Sequence, residues 1–244
     1  MKRSLGAVIG TALVVALFSN CGKNDVEAVD LGLTSGTLWA TRNVGAVNQW
    51  DYGEYFMWGM TVETIDYDWL NYSLCKADQS RLTKYCNIAE YGDNGFTDTI
   101  STLEANDDAA TAKWGHRWLT PTMAQWYELA NECYWGWTSN YRNSKVCGYI
   151  VYKAKIDSDK GVFTRTPDAS YSTADTHIFL PANGYRYGQN YYYDNIFGNY
   201  WSGTLCKDYP CHAGNFVFDS TGVVPESDWC SRIDGLSVRP VRKR

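Results

Sequence analysis

From Gly148 to the C-terminus the chain is a series of short apolar and aromatic runs separated by turn-forming residues, which is the pattern of short strands. The runs predicted as strands are Tyr149–Ala154, Thr176–Pro181, Asn199–Ser202, Gly214–Phe218 and Leu236–Pro240. Upstream, residues 29–40 are predicted to form two strands around a Thr34-Ser35-Gly36 turn, and residues 51–59 a further strand. Residues 61–100 lack periodicity and are predicted to be irregular.

Two segments of the first half carry helix signals. Asn106–Trp114 has Asp107 and Asp108 in its predicted first turn, where carboxylates suit the helix dipole, and Gly115 is expected to end it. A second helix is expected after Pro121, with Thr122 and Gln125 as a capping box. Its predicted buried stripe is Met123, Trp126, Tyr127, Ala130 and either Cys133 or Tyr134. Helices followed by short strands predict an α+β domain.

The N-terminus has the pattern of an export signal. Lys2 and Arg3 precede an apolar run from Leu5 to Phe18, which is too short to be a good membrane span. Residues 1–20 are therefore interpreted as a signal peptide. The sequence Leu17-Phe18-Ser19-Asn20-Cys21 resembles a bacterial lipoprotein box with Cys21 as the lipidated residue. The alternative is an ordinary secretory peptide with an accidental cysteine. Residues 21–28 form a tether, and residues 29–244 are expected to form one domain.

The charge balance argues against nucleic acid as a partner. Removing Lys2 and Arg3 with residues 1–20 changes the net charge from −5 to −7, whereas phosphate binding needs a concentrated basic surface. Four basic residues lie near the C-terminus, and we interpret them as a solvated tail: Arg239, Arg242, Lys243 and Arg244.

The chain has eight cysteines, and lipidation of Cys21 leaves an odd number. Cys75 with Cys86 and Cys133 with Cys147 are local candidates for disulfides, although the connectivity stays open. Cys206, Cys211, His212 and Cys230 are residue types that bind zinc, but their spacing is not that of a standard finger. Because export favours oxidation, we expect a disulfide or free thiols there, and neither a metal nor a cofactor.

Aromatic residues concentrate where the chain mixes them with polar side chains. The sequence contains 11 Trp and 19 Tyr, and aromatic residues concentrate in residues 185–201, namely Tyr185, Tyr187, Tyr191, Tyr192, Tyr193, Tyr200 and Trp201. Aromatic rings give large contact areas at low entropic cost. Neither His116 nor His177 has a visible catalytic partner, and Asp107 and Asp108 are explained as helix N-terminal charges. The sequence therefore favours ligand binding over catalysis.

A set of motifs in fixed order resembles a lipoprotein family common in gut Bacteroidetes. The motifs lie at Val29–Ala46, Asp51–Gly59, Asp107–Gly115, Pro121–Leu129, Leu180–Arg186, Tyr200–Ser202 and Ser237–Val241. The chain is similar to the Fibrobacter major paralogous domain and to the variable proteins of diversity-generating retroelements. The resemblance implies a C-type lectin fold of the formylglycine-generating-enzyme type.

In such retroelement targets the C-terminal part is rewritten at adenines, which implies a candidate variable region over residues 185–239. Rewriting can produce the residues found at Cys206, Asp208, Tyr209, Cys211, His212, Asn215, Ser227, Asp228, Cys230, Ser231, Ile233 and Asp234. It cannot produce Gln189, Trp201, Lys207, Glu226 or Trp229, which would belong to the frame. The alternative is a member of the family that is not diversified.

The leading hypothesis is a monomeric outer-membrane lipoprotein that binds a protein or glycan ligand. Its predicted ligand-binding residues are Tyr187, Tyr191, Tyr193, Cys206, Asp208, Tyr209, His212, Asn215, Ser227, Asp228, Trp229, Ser231 and Asp234. It requires Tyr187, Tyr191, Tyr209 and Trp229 to be exposed together on one face. The alternatives are a structural or adhesin subunit and an oxidase of the formylglycine-generating type. Whether the domain is surface-exposed or periplasmic stays open.

Overall fold

The computed structural model describes residues 26–223 and 229–244. The predicted signal peptide, Cys21, Ser227 and Asp228 lie outside these residues, as does the side chain of Trp229. In the described part there are two α-helices, α1 (Ala109–Trp114) and α2 (Met123–Glu132). The strands are β1 (Ala28–Val29), β2 (Leu38–Ala40), β3 (Tyr55–Phe56), β4 (Cys133–Thr138), β5 (Gly148–Lys153), β6 (Phe163–Thr164), β7 (His177–Pro181), β8 (Tyr185–Tyr187), β9 (Asn190–Tyr192), β10 (Gly198–Leu205), β11 (His212–Asp219), β12 (Gly222–Val223), β13 (Trp229–Ser231), β14 (Leu236–Ser237) and β15 (Val241–Arg242).

The strands form four sheets with mostly antiparallel pairing. The orders are β1-β2-β15, β12-β11-β10-β14-β3 with β13 also on β11, β6-β4-β5-β7, and the hairpin β8-β9. The exceptions are the parallel pairs β10-β14 and β4-β6. Few helices and many strands in mixed sheets confirm the predicted α+β class. Neither described helix is long and apolar enough to cross a membrane.

The second helix begins as predicted. The Thr122 hydroxyl accepts from the Gln125 N–H at 3.3 Å, and the Gln125 side chain accepts from the Thr122 N–H at 2.9 Å. Its buried face is Met123, Trp126, Leu129 and Ala130. Tyr127, which we placed in the stripe, is 39% exposed, so that prediction was wrong. The helix ends at Glu132 because β4 begins at Cys133 and pairs along β5.

The first helix is shorter than predicted. Residues Ala105–Asp107 form a 3-10 turn, and Asp108 is the N-cap of α1 rather than a first-turn residue. Its carboxylate accepts from the N–H of Ala110 and from the N–H and hydroxyl of Thr120, each at 2.8 Å. Burial raises the pKa of Asp108, and these bonds offset part of that effect. Asp108 thus fixes the entry of α1 to the start of the α2 segment.

Strand β10 is the middle strand of its sheet, and its carbonyls accept hydrogen bonds from two tryptophan side chains. Its pairing with β11 shifts between Trp201 and Leu205. Near this irregularity the carbonyls of Trp201 and Ser202 accept from the indole N–H groups of Trp126 at 3.2 Å and Trp58 at 2.8 Å. The Trp201 indole donates in turn to the Phe56 carbonyl at 2.6 Å. The Tyr200-Trp201-Ser202 motif therefore joins the two largest cores.

Strand β5 shows why apolar residues run continuously through this sheet. Side chains alternate between the two faces of a strand. Tyr149 and Val151 pack into the core under α2, whereas Ile150 and Tyr152 pack into a second core with Tyr134. Both faces of β5 are therefore buried, which explains its lack of polar alternation.

Arg239, in the motif Ser237–Val241, is fully buried, and no carboxylate among the described residues pairs with it. Its guanidinium donates to Asn43 Oδ1 at 2.7 Å, to the Ala40 carbonyl at 3.2 Å and to the Phe179 carbonyl at 2.9 Å. Burial lowers its pKa to about 10, so it remains charged at neutral pH. It was wrong to place this residue in a solvated tail. Its three acceptors come from β2, the following loop and β7.

We expect Trp126→Ala to destabilise the domain by about 3–5 kcal/mol, because a buried tryptophan leaves a large cavity. Trp126 is 0% exposed and stacks on Phe216 at 4.7 Å between ring centroids. Urea unfolding of the wild type and the variant measures the difference. Tyr127→Ala, one position along the same helix at an exposed side chain, should change stability much less. Equal losses in the two variants would contradict the assignment of the buried face.

We expect Arg239→Lys to destabilise the domain by about 3 kcal/mol, although the charge is kept. An ammonium cannot serve three acceptors in the planar arrangement of a guanidinium, and each buried acceptor left unsatisfied costs about 1–3 kcal/mol. Urea unfolding provides the measurement, with exposed Arg165→Lys as the matched control. A loss no larger than that of the control would refute this role.

Candidate functional site

Among the described residues, the hairpin β8-β9 carries three exposed tyrosines, Tyr187, Tyr191 and Tyr192, and exposed Tyr193 follows it directly. Tyr185 pairs with Tyr192, Arg186 with Tyr191, and Tyr187 with Asn190. Cross-strand partners share a face of the ribbon, and successive residues alternate between faces. Tyr187 and Tyr192 therefore lie on one face, while Tyr191 lies on the other with Arg186. The sequence pattern did not predict these strands, because the hairpin has no alternation between apolar and polar residues.

The face with Arg186 is built as a layered cation-aromatic contact. The Arg186 guanidinium lies 4.7 Å from the ring centroid of Tyr67 and 4.4 Å from that of Tyr191. The hairpin turn is held by two backbone bonds between Gly188 and Tyr67, at 3.0 and 3.1 Å. Tyr191 is still 58% exposed. This face anchors the hairpin to the irregular segment 61–100.

The opposite face presents a run of tyrosine rings to solvent. Tyr185 and Tyr192 stack at 5.4 Å, and Tyr193 lies 6.1 Å from Tyr185. Tyr187 is 54% exposed, Tyr193 53% and Tyr192 37%. Tyr192 was not among the predicted site residues. We define the tyrosine surface as Tyr187, Tyr192 and Tyr193; Tyr209 lies on a separate loop, whose connection to the hairpin follows.

A series of pairings connects the hairpin to the loop that carries Tyr209. Arg186 and Gly235 form an antiparallel bridge, which places Asp234 in register with Tyr187. Further along, Ser231 pairs with His212 across β13 and β11. The Tyr209 ring contacts His212 edge-on at 6.3 Å and is 59% exposed. Backbone pairings therefore join the hairpin to the 206–212 loop.

The requirement that four aromatic residues share one face is met only in part. Tyr187, Tyr191 and Tyr209 are exposed, as predicted. Tyr191, however, lies on the opposite face of the hairpin from Tyr187. For Trp229 only the backbone is described, and it pairs with Gly214. The exposure of its ring therefore stays a prediction.

A rigid frame supports the exposed tyrosines. Gly184 has φ +60°, and a Cβ there would lie 2.0 Å from the Tyr192 carbonyl oxygen. Only glycine fits this approach. The Asn183 side chain donates to the Asn199 carbonyl at 3.1 Å and accepts from its N–H at 2.8 Å. The motif Leu180–Arg186 thus fixes the start of the hairpin against β10.

Two predicted site residues lie in the core instead of the surface. Asn215 is 2% exposed, and its amide donates to the side chain of Asn199 at 2.8 Å. Cys206 is 4% exposed, and its N–H donates to the His212 carbonyl at 3.2 Å. Neither side chain can contact an external ligand, so both predictions were wrong. Asn215 lies in β11, which pairs with other strands on both sides, so its polar side chain did not indicate exposure to solvent.

The remaining predicted residues occupy different environments. Asp208 is exposed, while His212, Ser231 and Asp234 are half-buried. Asp234 accepts a hydrogen bond from the Cys230 thiol at 2.8 Å. Burial raises the pKa of Asp234 to about 6, and burial together with this carboxylate raises that of Cys230. Asp234 therefore changes charge in the range between pH 5 and 7.

The thiols near the site are not activated. Cys211 is 3% exposed, and burial raises its pKa. The Cys211 sulfur lies 3.2 Å from His212 Nδ1. Burial lowers the pKa of His212. Thiolates are the form that attacks electrophiles and binds metals. Within residues 26–223 and 229–244, no three His, Cys, Asp or Glu side chains are placed to hold a metal ion.

The two local disulfide candidates are not formed. Cys133 pairs with Lys153 at one end of the β4-β5 hairpin, whereas Cys147 precedes Gly148 at the other end. Five residues of strand, about 17 Å, separate these ends, well beyond disulfide reach. Cys75 and Cys86 are separate thiols that donate to the carbonyls of Tyr72 and Ile88.

A group of exposed apolar residues beside the hairpin was missed. Val62, Ile65 and Leu70 are 61%, 80% and 77% exposed. They belong to the segment that contacts the hairpin, since the Ile65 carbonyl accepts from Arg186 and Asp66 accepts from Gln189. The sequence signal that could have predicted this group was the presence of apolar residues within a polar, irregular segment.

Comparison with known proteins gives no relative: no protein-family model, no curated protein and no solved structure matches the chain.

The raised pKa of Asp234 predicts a pH dependence of stability. A carboxyl whose pKa rises from 3.8 to about 6 on folding binds its proton more tightly in the folded state. Its stabilising effect is complete below pH 4 and is lost as the pH rises through about 6. We expect the difference in unfolding free energy between the wild type and Asp234→Asn to change by up to about 3 kcal/mol between pH 4 and 7.5. Urea unfolding at both values measures it, and a constant difference would show that Asp234 titrates normally.

Proposed function

We propose that this chain is a cell-envelope lipoprotein whose C-terminal surface binds a protein or glycan ligand. The observation that carries the proposal is the set of exposed tyrosine rings on two tightly constrained segments, the hairpin and the 206–212 loop, which backbone pairings connect. Tyr187, Tyr193 and Tyr209 are each more than half exposed, whereas β10 and β11, which follow the hairpin in the chain, are largely buried. Aromatic rings that are exposed to solvent on a fixed backbone are typical of recognition surfaces. The cost of ordering them on binding is small, because the hairpin is already fixed.

We infer that the domain has a C-type lectin-like fold. Support comes from the α+β class and from the structural roles of the motifs. Each of the three later motifs contributes a residue with a structural role. Gly184 allows a close backbone approach, the Trp201 indole donates a hydrogen bond within the core, and the buried Arg239 guanidinium donates to backbone carbonyls. The motif order in the sequence remains the basis for the family resemblance.

The ligand-binding role is favoured over catalysis by the state of the ionisable groups. The buried thiols of Cys211 and Cys230 have raised pKa values, so they are protonated at neutral pH. An oxidase of the formylglycine-generating type would need a reactive cysteine pair. We therefore propose a binding protein without cofactor or metal. A structural or adhesin subunit would use the same surface for a neighbouring subunit.

We expect the double variant Tyr187→Ser with Tyr209→Ser to lose ligand capture at least 30-fold, because central aromatic anchors contribute about 2 kcal/mol or more each. The rings are 54% and 59% exposed, so the fold should be retained. The measurement is binding of the purified domain to a glycan array and, in parallel, pull-down from the native envelope. The pull-down separates a soluble ligand from a fixed envelope partner.

The matched control is Phe96→Ser with Ile156→Ser, two exposed apolar residues that belong neither to the hairpin nor to the 206–212 loop. The control should bind like the wild type. Tyr191→Ser tests the opposite face of the hairpin and should retain most of the binding. Capture that survives in the Tyr187 and Tyr209 variant, or that falls equally in the control, would overturn the placement.

The structure also sharpens the retroelement hypothesis. If residues 185–239 are diversified, variation should concentrate at exposed positions such as Asp208 and Tyr209. It should be scarce at Cys206, Cys211, Asn215 and Ile233, which are 4%, 3%, 2% and 4% exposed. Deep sequencing of these codons in the source population, with a search of flanking DNA for a near-copy, measures this. An invariant segment without a template would indicate a fixed ligand.

A further inference from the structure

A basic cleft lies between the C-terminal strand and the loop after α1. Its volume is about 570 Å³, and its lining includes His116, Arg117, Leu119, Arg242, Lys243 and Arg244. Two backbone bonds of 2.9 Å between Leu119 and Val241 hold the walls together. The Arg242 guanidinium lies 5.1 Å from the ring centroid of Trp118, which is buried. The cleft is therefore part of the folded frame, not a loose tail.

The charge in the cleft is unbalanced. Among residues 26–223 and 229–244, no acidic residue lines it. Arg244 pairs with Asp30, but within the described part of the chain Arg117, Arg242 and Lys243 form no ion pair. The chain as a whole carries a net charge of −5. Three uncompensated cations in one concave surface of an acidic protein focus a positive potential there.

The cleft and the start of the described chain lie on the same sheet, at opposite ends of its strands, because Arg242 pairs with Leu38 and Ala28 with Ala40. Strand β2 is bordered by β1 on one side and by β15, which carries Arg242, on the other. Val26, the first described residue, is 6% exposed and belongs to the same core as Trp118. Cys21 is five residues before Val26, a span of at most about 18 Å. A lipid on Cys21 would hold this sheet close to the membrane.

We propose that the basic cleft docks onto the phosphate headgroups of anionic membrane lipids and orients the domain on its anchor. The proposal rests on the proposed function for the position of the lipid on Cys21. Basic residues beside a membrane surface interact with anionic headgroups, and exposed Leu119, at 45%, supplies an apolar contact at the rim. Three uncompensated cations are too few for nucleic acid but suffice to orient a protein that is already anchored.

The test uses residues 21–244 with Cys21→Ser, which keeps every described core residue and removes the lipid. Co-sedimentation with phosphatidylcholine vesicles, with and without phosphatidylglycerol, measures binding at low ionic strength. We expect binding only to the anionic vesicles, falling with added salt. Arg117→Gln with Lys243→Gln should weaken it roughly 25-fold, about fivefold for each charge removed.

The matched control is Lys76→Gln with Lys145→Gln, which removes the same charge from two exposed lysines outside the cleft. The control should retain vesicle binding. Equal losses in the two double variants, or equal binding to neutral and anionic vesicles, would overturn the proposal. Unfolding curves establish that both double variants are folded.

Failure of this inference is separable from failure of the proposed function. Mass spectrometry of the protein from native envelopes shows whether Cys21 carries lipid. A lipidated Cys21 without cleft-dependent vesicle binding would remove the orienting role and leave the lipoprotein. Cleft-dependent binding with an unmodified Cys21 would keep the membrane surface and remove the anchor. Neither result changes the test of Tyr187 and Tyr209.

Discussion

The buried guanidinium of Arg239 is the interaction on which the arrangement of sheets depends. It joins the Ala40 carbonyl on β2, the Asn43 side chain and the Phe179 carbonyl on β7. A buried charge without a carboxylate is tolerated only when hydrogen bonds replace its hydration. These acceptors belong to segments nearly 200 residues before Arg239 and 60 residues before it. The C-terminal segment that contains Arg239 therefore joins β2 and β7, which belong to different sheets.

Arg232 performs a related role on the other side of the molecule. It is fully buried among the rings of Trp58, Tyr72 and Tyr85, and it donates to the carbonyls of Pro210 and Lys84. These contacts connect the irregular segment 61–100 to the base of the 206–212 loop. The loop with Tyr209 is thus supported from beneath by a residue whose charge is satisfied by backbone dipoles and aromatic faces. Together with the buried Cys206 and Cys211 of the loop itself, this support explains how the loop can expose the Tyr209 ring.

The sequence predicted most elements of the fold for local reasons. The Thr122 and Gln125 capping box and the apolar runs of β5, β7, β10 and β11 are local signals, and the structure confirms them. The sequence did not predict that α2 ends at Glu132, because Cys133 fits both the apolar stripe of a helix and the buried face of a strand. The burial of Asn215 depends on Asn199, its partner across long-range pairing. The roles of Arg232 and Arg239 likewise come from distant carbonyls, which no local pattern records.

The same dependence on distant partners limits where a recognition surface can vary. Cys211 and Ile233 flank Arg232, and Asn215 bonds to Asn199 inside the paired strands. A large or charged residue at these positions would disturb contacts that support the exposed loop. Tyr187, Tyr193 and Tyr209 instead project from backbone that is fixed by other residues, such as Gly184 and Gly188. Their rings can be exchanged at little cost to the frame. If this surface binds a ligand as proposed, its exposed rings can be exchanged to suit different ligands, whereas the buried arginines must stay constant.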